Sequence, residues 1–430
     1  MKKIVIFGIV IFAKLLAFAS RSLKKGNGTA LPGYLVEYYA KWVIAILAKD
    51  LKEVIFISGT NGKTTTRALL NHIYQNNNVE VCSNLGGANI FRGIASALIL
   101  NTKWNLKPKK TTAILEIEEA TMPILADYLK PQILILTNVF RDQLDAYGEI
   151  DQTLKYFKTV LEKTKPIVIV NADDYKLLQC LQNFEGTLLG FRVDSPDKPI
   201  FESDSPVNLN FHQVFVAKNI QSTDSGQSFE IVFGSKKISV KSNLGGIYNT
   251  YNILAAVVCG YQKFGIQAVD PIPSFEPVFG RGERITLGNT KIELFLIKNP
   301  AGFDQVLNQL HQQFQHKEIN MIISINDNIA DGKDVSWLWD VNLEKFTSKQ
   351  KFLNLKTAGT RGLDMLLRLE YAGFQVKPED YLGQKGKDIV NLCKTLSGEI
   401  IVLCTYTALL ELRSSLANLV DLKSLNNTGN

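Results

Sequence analysis

Residues Val54–Thr66 read VIFISGTNGKTTT, and no other stretch constrains the fold as tightly. An apolar, β-rich run ends at Ser58, a glycine-bearing turn follows, and an amphipathic helix begins at Thr65. Strand, glycine turn and helix in that order build a phosphate cradle. Glycines let the backbone approach phosphate oxygens, and the helix N-terminus aims N–H groups and its positive dipole end at them. Gly59, Thr60, Asn61, Gly62, Lys63, Thr64 and Thr65 are therefore the candidate ATP-binding residues. Lys63 is placed to reach the β- and γ-phosphates as a catalytic cation, and the Thr64 hydroxyl to face Mg²⁺. The loop is a variant of the general pattern, because Ile57 stands where the first glycine would be.

Such a site needs a carboxylate at the end of a neighbouring strand. AILEIEEA (Ala113–Ala120) supplies one, and alternation along the strand selects Glu116 as the catalytic and Mg²⁺-binding acid. Mg²⁺ takes one or two carboxylates with phosphate oxygens and water, so one acid is enough. Glu118 and Glu119 lie just beyond it, either as further ligands or as a solvated strand end.

Strand-length apolar runs alternate with helical ones from here on. Val54–Ser58, Ala113–Ile117, Ile133–Thr137 and Ile167–Asn171 read as buried parallel strands. Residues 191–245 are polar and alternate over short spans (SFEIVFG, KKISVKS), which predicts an antiparallel insertion. A Pro-rich boundary at 271–277 precedes further strands at Ile292–Ile297, Ile319–Ile325 and Ile400–Leu403. The expected division is a helical leader over 1–50, an ATP-binding α/β domain over 51–275 and a second, Rossmann-like α/β domain over 276–430.

The leader opens with Ile4–Ala13, ten apolar residues behind Lys2 and Lys3. Lys14 interrupts the run, well short of the roughly 20 apolar residues of a spanning helix. A signal peptide fits the basic start, but Lys14 breaks its apolar core. Two readings stay open: a helix lying on a membrane surface or a partner, and a helix buried against the next domain. Tyr34–Leu51 reads as a short helical stretch leading into the first strand.

Composition narrows the chemistry. The 430 residues carry a net charge of +7, which mildly favours an anionic partner or membrane surface and does not point to nucleic acid. Five cysteines (Cys82, Cys180, Cys259, Cys393, Cys404) form no C-x-x-C pair, against both a disulfide framework and a cysteine zinc site. Four histidines lie away from every motif, so no Ser-His-Asp or Cys-His arrangement can be assembled within the chain.

GTNGKTTT, SNLGGANI (Ser83–Ile90), LTNVFRDQLDAYGEID (Leu136–Asp151), VNADD (Val170–Asp174), GIYNTYNILAA (Gly246–Ala256) and FGRGERI (Phe279–Ile285) together resemble the Mur ligase family. The resemblance implies a Mur-type α/β fold and an ATP-dependent carboxylate–amine ligase working through an acyl-phosphate. It also implies that Asn252 contacts adenine and Arg281 the nucleotide. Only 58 residues precede Gly59 and they read as helical, so a UDP-sugar-binding domain and a UDP-linked substrate are not expected.

The C-terminal runs IKNPAGFDQVL (Ile297–Leu307), SINDNIADGKDVSWLWD (Ser324–Asp340), AGTRGLDMLLRLEYAG (Ala358–Gly373) and TYTALLELR (Thr405–Arg413) resemble the MurT family. Its members are ligase subunits of lipid II isoglutaminyl synthase. That resemblance implies a GatD-type glutaminase partner in a heterodimer, lipid II at the membrane surface as substrate, and a cytoplasmic chain, with peripheral association at the inner face of the plasma membrane as one reading. It places on Asp334 the carboxylate that completes the partner's Cys-His pair. Family members usually carry a four-cysteine zinc ribbon in the middle domain; residues 191–245 contain no cysteine, so no zinc is expected. Two other classes stay open: a stand-alone Mur or folylpolyglutamate-type ligase that adds an amino acid, and an ATP-binding scaffold at the membrane without ligase activity.

Overall fold

The computed structural model describes residues 6–15, 31–84, 88–140, 149–196, 209–223, 226–277, 280–314, 317–347, 350–417 and 419–420. The expected buried strands form the heart of a nine-stranded sheet. Its strands, in chain order, are β1 (Glu53–Ser58), β2 (Val81–Ser83), β3 (Thr112–Glu116), β4 (Ile133–Leu136), β5 (Ile167–Asn171), β6 (Leu188–Val193), β7 (Gln213–Thr223), β8 (Gly226–Phe233) and β9 (Lys236–Ser242). In space they run β2-β3-β1-β4-β5-β6-β7-β8-β9. Every pairing from β2 through β7 is parallel; β8 and β9 add on antiparallel.

Burial on both faces explains the continuous apolar runs. Along β1, Phe56 enters the core on one face, and Ile55 and Ile57 enter the core on the other. The helices of this first unit are α1 (residues 6–15), α2 (Leu31–Tyr39), α3 (Val43–Leu47), α4 (Lys63–Asn76), α5 (Phe91–Leu100), α6 (Met122–Leu125), α7 (Glu149–Thr164), α8 (Tyr175–Cys180) and α9 (Ile247–Phe264). Residues of α4 and α9 fill one core, while α1, α2, α3, α5 and α7 supply the other.

Two expectations are refined. The helical stretch Tyr34–Leu51 is two helices, α2 and α3, separated by Ala40–Trp42. The segment 191–245 extends the main sheet: β7 lies parallel to β6, and only β8 and β9 are antiparallel. Phe229, Ile231, Phe233 and Val240 are buried in the sheet's core. Apolar packing thus anchors the described part of this cysteine-free segment. Residues 197–208 and 224–225 of it lie outside the described residues.

The second unit carries β10 (Arg281–Leu287), β11 (Thr290–Leu296), β12 (Glu318–Ser324), β13 (Lys351–Ala358) and β14 (Gly398–Cys404) in the order β10-β11-β14-β12-β13. β10 is an antiparallel edge on an otherwise parallel sheet. Its helices are α10 (Pro300–Gln313), α11 (Leu343–Thr347), α12 (Gly362–Tyr371), α13 (Gly386–Thr395) and α14 (Tyr406–Leu416). All five cysteines are buried and unbonded.

Candidate ATP-binding and ligase site

The loop between β1 and α4 is fixed by the backbone conformations it adopts. Gly59 and Gly62 have φ of 126° and 86°, in the region that only glycine enters at little cost. No side chain caps α4, and its first backbone bond runs from Thr66 N to Gly62 O at 2.9 Å. The amides of Lys63, Thr64 and Thr65 therefore precede the helical ladder, at the positive end of a 14-residue helix. That arrangement suits an anion.

A second strand end braces the loop. Thr60 N donates to Asn138 O and Asn61 N to Asn138 Oδ1, both at 2.9 Å. Asn138 Nδ2 and Thr137 Oγ1 both donate back to Asn61 O. Asp174 holds Val139 N at 2.7 Å and caps α8 through Leu177 N, so VNADD supports the strand end beside the loop. Residues 141–148, within LTNVFRDQLDAYGEID, lie outside the described residues.

Three carboxylates gather beside this loop. Glu116, 4% exposed at the end of β3, accepts from Thr64 Oγ1 at 2.9 Å and from Arg67 Nε at 3.3 Å. Asn84 clamps its backbone, accepting from Glu116 N and donating to Glu116 O. Asn89 Nδ2 donates to Glu118 Oε2 at 3.0 Å. The flanks of SNLGGANI thus position the acids; Leu85, Gly86 and Gly87 lie outside the described residues.

Glu119 is drawn inward. The chain turns after β3 into a short 3₁₀ helix, Glu119–Thr121, and Lys63 Nζ meets Glu119 Oε1 at 2.9 Å. Lys63 Nζ also donates to Gly59 O, and Glu118 Oε2 lies 3.7 Å away. Burial pushes the Glu119 carboxyl up to about 7 against the pull of Lys63. Burial acts to lower the Lys63 pKa, but the surrounding glutamates outweigh it and hold the ammonium above its ordinary range.

Asn252 sits directly beneath the loop. It is 5% exposed, and its Oδ1 accepts from Thr66 Oγ1 and lies where a Cβ on Gly62 would fall. Arg281, at the start of β10 between Gly280 and Gly282, is partly buried and feels the charge of groups on the first unit. Burial lowers its pKa, while the Tyr248 hydroxyl and Glu116 act to raise it. Asp334 lies in the loop after β12, exposed, accepting from Ser336 N and Oγ at 2.8 Å.

Sequence reasoning missed Asn299. It caps α10 through Gly302 N, and its Nδ2 reaches Asn61 Oδ1 at 3.3 Å, so the second unit touches the phosphate loop directly. Asn138, Arg67 and Asn84 were also missed as loop and acid supports. Asparagine at a helix cap has a local signal; its partner 238 residues away in sequence has none.

A P-loop with Lys63, Thr64 and Glu116 in register, on a parallel sheet followed by a Rossmann-like unit, defines an ATP-dependent ligase of the Mur type. Residues 57–260 match the Mur ligase middle domain, and residues 296–409 match the MurT ligase C-terminal domain. The chain is 30% identical over 392 residues to the lipid II isoglutaminyl synthase (glutamine-hydrolyzing) subunit MurT of Staphylococcus aureus, covering 85% of this chain and 87% of that one. It is 29% identical over 430 residues to the corresponding Streptococcus pneumoniae subunit, covering 91% and 93%. The chain belongs to the MurT family. Among solved structures, MurF from Acinetobacter baumannii superposes with a TM-score of 0.66 at 16% identity, over 88% of this chain and 80% of that one. Folylpolyglutamate synthase from Mycobacterium tuberculosis, complexed with ADP and AMPPCP, gives 0.62 at 12% identity, over 89% and 95%. These two likenesses concern the fold.

Proposed function

We propose that this chain is the ATP-using subunit of a two-component lipid II isoglutaminyl synthase, amidating the α-carboxylate of the D-glutamate in lipid II. What carries the reading is that likeness to the MurT subunits spans both the phosphate loop and the loop bearing Asp334. It fits a leader domain over 1–50, an ATP-binding domain over 51–275 and a partner-docking domain over 276–430. The chain works in the cytoplasm on a membrane-borne substrate; among the described residues no helix is long and apolar enough to cross a membrane.

A carboxylate oxygen of the substrate attacks the γ-phosphorus of ATP, ADP departs, and an acyl-phosphate forms. Ammonia then attacks the acyl carbon, phosphate leaves, and the nitrogen gives up a proton. Lys63 and the amides of residues 63–65 offset charge on the transferring phosphoryl group. Asn252 and Arg281 hold the nucleotide. Thr64 and Glu116 would hold Mg²⁺: a hydroxyl and a carboxylate 2.9 Å apart beside the cradle are the hard oxygen donors it prefers. When bound, the ion would neutralise phosphate charge. Asn299 contacts Asn61, so closure of the second unit can sense the loaded loop and exclude water from the acyl-phosphate.

The nitrogen comes from a GatD-type glutaminase partner. A glutaminase cysteine needs a histidine base, and a carboxylate fixes that base's tautomer. Asp334, exposed on its loop, donates that carboxylate. Asp334→Asn should impair amidation driven by glutamine and spare amidation driven by free ammonia. Equal rates with glutamine before and after the substitution would refute the assignment.

A further inference from the structure

Helix α1 is apolar apart from Lys14, yet only one side of it is buried. Ile6, Val10 and Ala13 are at most 2% exposed in the core shared with α5, whereas Phe7, Phe12 and Leu15 are 39%, 52% and 59% exposed on the other side. Lys14 links this open face to the loop after α5. Its Nζ donates to Thr102 O and stands 4.9 Å over the ring of Trp104, which is 67% exposed. The result is an apolar patch of two phenylalanines, a leucine and a tryptophan.

The sequence segments that carry it have one sign of charge. Residues 1–36 contain six basic residues and no acid, which accounts for six of the seven net charges on the chain. Residues 101–110, the loop bearing Trp104, contain four lysines and no acid; Lys103, Lys107 and Lys109 are exposed. Apolar and tryptophan anchors flanked by lysines match a boundary between acyl chains and anionic headgroups. A protein partner could cover the apolar side chains alone; the exposed lysines beside Trp104 fit an anionic surface.

We propose that the exposed face of α1 and the Trp104 loop form a docking face for an anionic lipid bilayer. Phe7, Phe12, Leu15 and Trp104 enter the interface, and Lys103, Lys107 and Lys109 contact lipid phosphates. This goes beyond the ligase reading and does not depend on which carboxylate is amidated.

The test is co-sedimentation of the full chain with vesicles of phosphatidylglycerol and phosphatidylcholine in equal parts, against phosphatidylcholine alone, with no lipid II present. The chain should sediment with the anionic vesicles, be released by salt, and stay in solution with the neutral ones. Phe12→Ser with Trp104→Ser, and separately Lys103→Glu with Lys107→Glu, should each lower partitioning about tenfold or more. Because these side chains are exposed, thermal unfolding should match the parent, and amidation of lipid II in detergent micelles should persist. Failure to sediment at low salt, or sedimentation unchanged in both variants, would overturn the proposal. So would a concentration-dependent dimer, abolished by Phe12→Ser, in a chain that ignores vesicles. If vesicles bind but lipid II is never amidated, the functional reading falls and the docking face stands.

Discussion

Lys63 Nζ lies 2.9 Å from Glu119 Oε1, so the cation that should meet ATP is held by a carboxylate of this same chain. Nucleotide must draw Lys63 from that contact, leaving Glu119 buried beside phosphate. Its carboxyl already sits at about 7, raised chiefly by burial. A proton on Glu119 removes both its hold on Lys63 and its repulsion of phosphate.

Nucleotide affinity should therefore rise as pH falls through about 7, by roughly threefold to tenfold between about pH 8 and about pH 6. Glu119→Gln should flatten that dependence. Because ADP titrates in the same range, the comparison is parent against variant with one ligand, by calorimetry. Parallel profiles would remove Glu119 from the linkage.

Lys63→Ala should lower ATP turnover by about 10²–10³-fold, with glutamine or free ammonia as nitrogen source alike. ADP release in the complete mixture measures it. Loss with glutamine alone would move Lys63 out of phosphoryl transfer.

Gly62→Ala tests the cradle. Gly62 has φ of 86°, and an added Cβ would stand 2.2 Å from Asn252 Oδ1. The backbone strain alone costs about 1–3 kcal/mol, and the loop must also shift away from Asn252. Urea unfolding should report the lower stability, and nucleotide binding should be lost.

Asp174 supplies a pH signature of folding. Burial raises its carboxyl to about 6, even though it accepts from Val139 N and Leu177 N. The folded chain thus keeps a proton between about pH 4 and about pH 6 that the unfolded chain releases, so stability from this group falls as pH rises through that window. The expected change is about 1–3 kcal/mol, read from urea midpoints. Asp174→Asn should abolish it.

Much of this was legible in sequence because the signals are local. Ser58 ends a strand, Gly59 and Gly62 mark the turn, and alternation along Ala113–Ile117 selects Glu116 as the inward acid. Glu119 was ambiguous because the strand period stops at Glu116, and only the following 3₁₀ turn swings Glu119 toward Lys63. The break between α2 and α3 carries no glycine or proline to announce it. The parallel pairing of β7 with β6 was hidden by the short alternation of β8 and β9, which reads as a separate meander. Asn252 was picked out by resemblance, but its seat under Gly62 depends on packing between α4 and α9 that no window along the chain contains.

The most direct measurement is mass spectrometry of lipid II incubated with this chain, its glutaminase partner, glutamine and ATP. The account predicts that one stem carboxyl becomes an amide, with ADP formed in step and no change when ATP is withheld. Lipid II recovered unchanged while ATP is consumed, or extended by an amino acid, would contradict it.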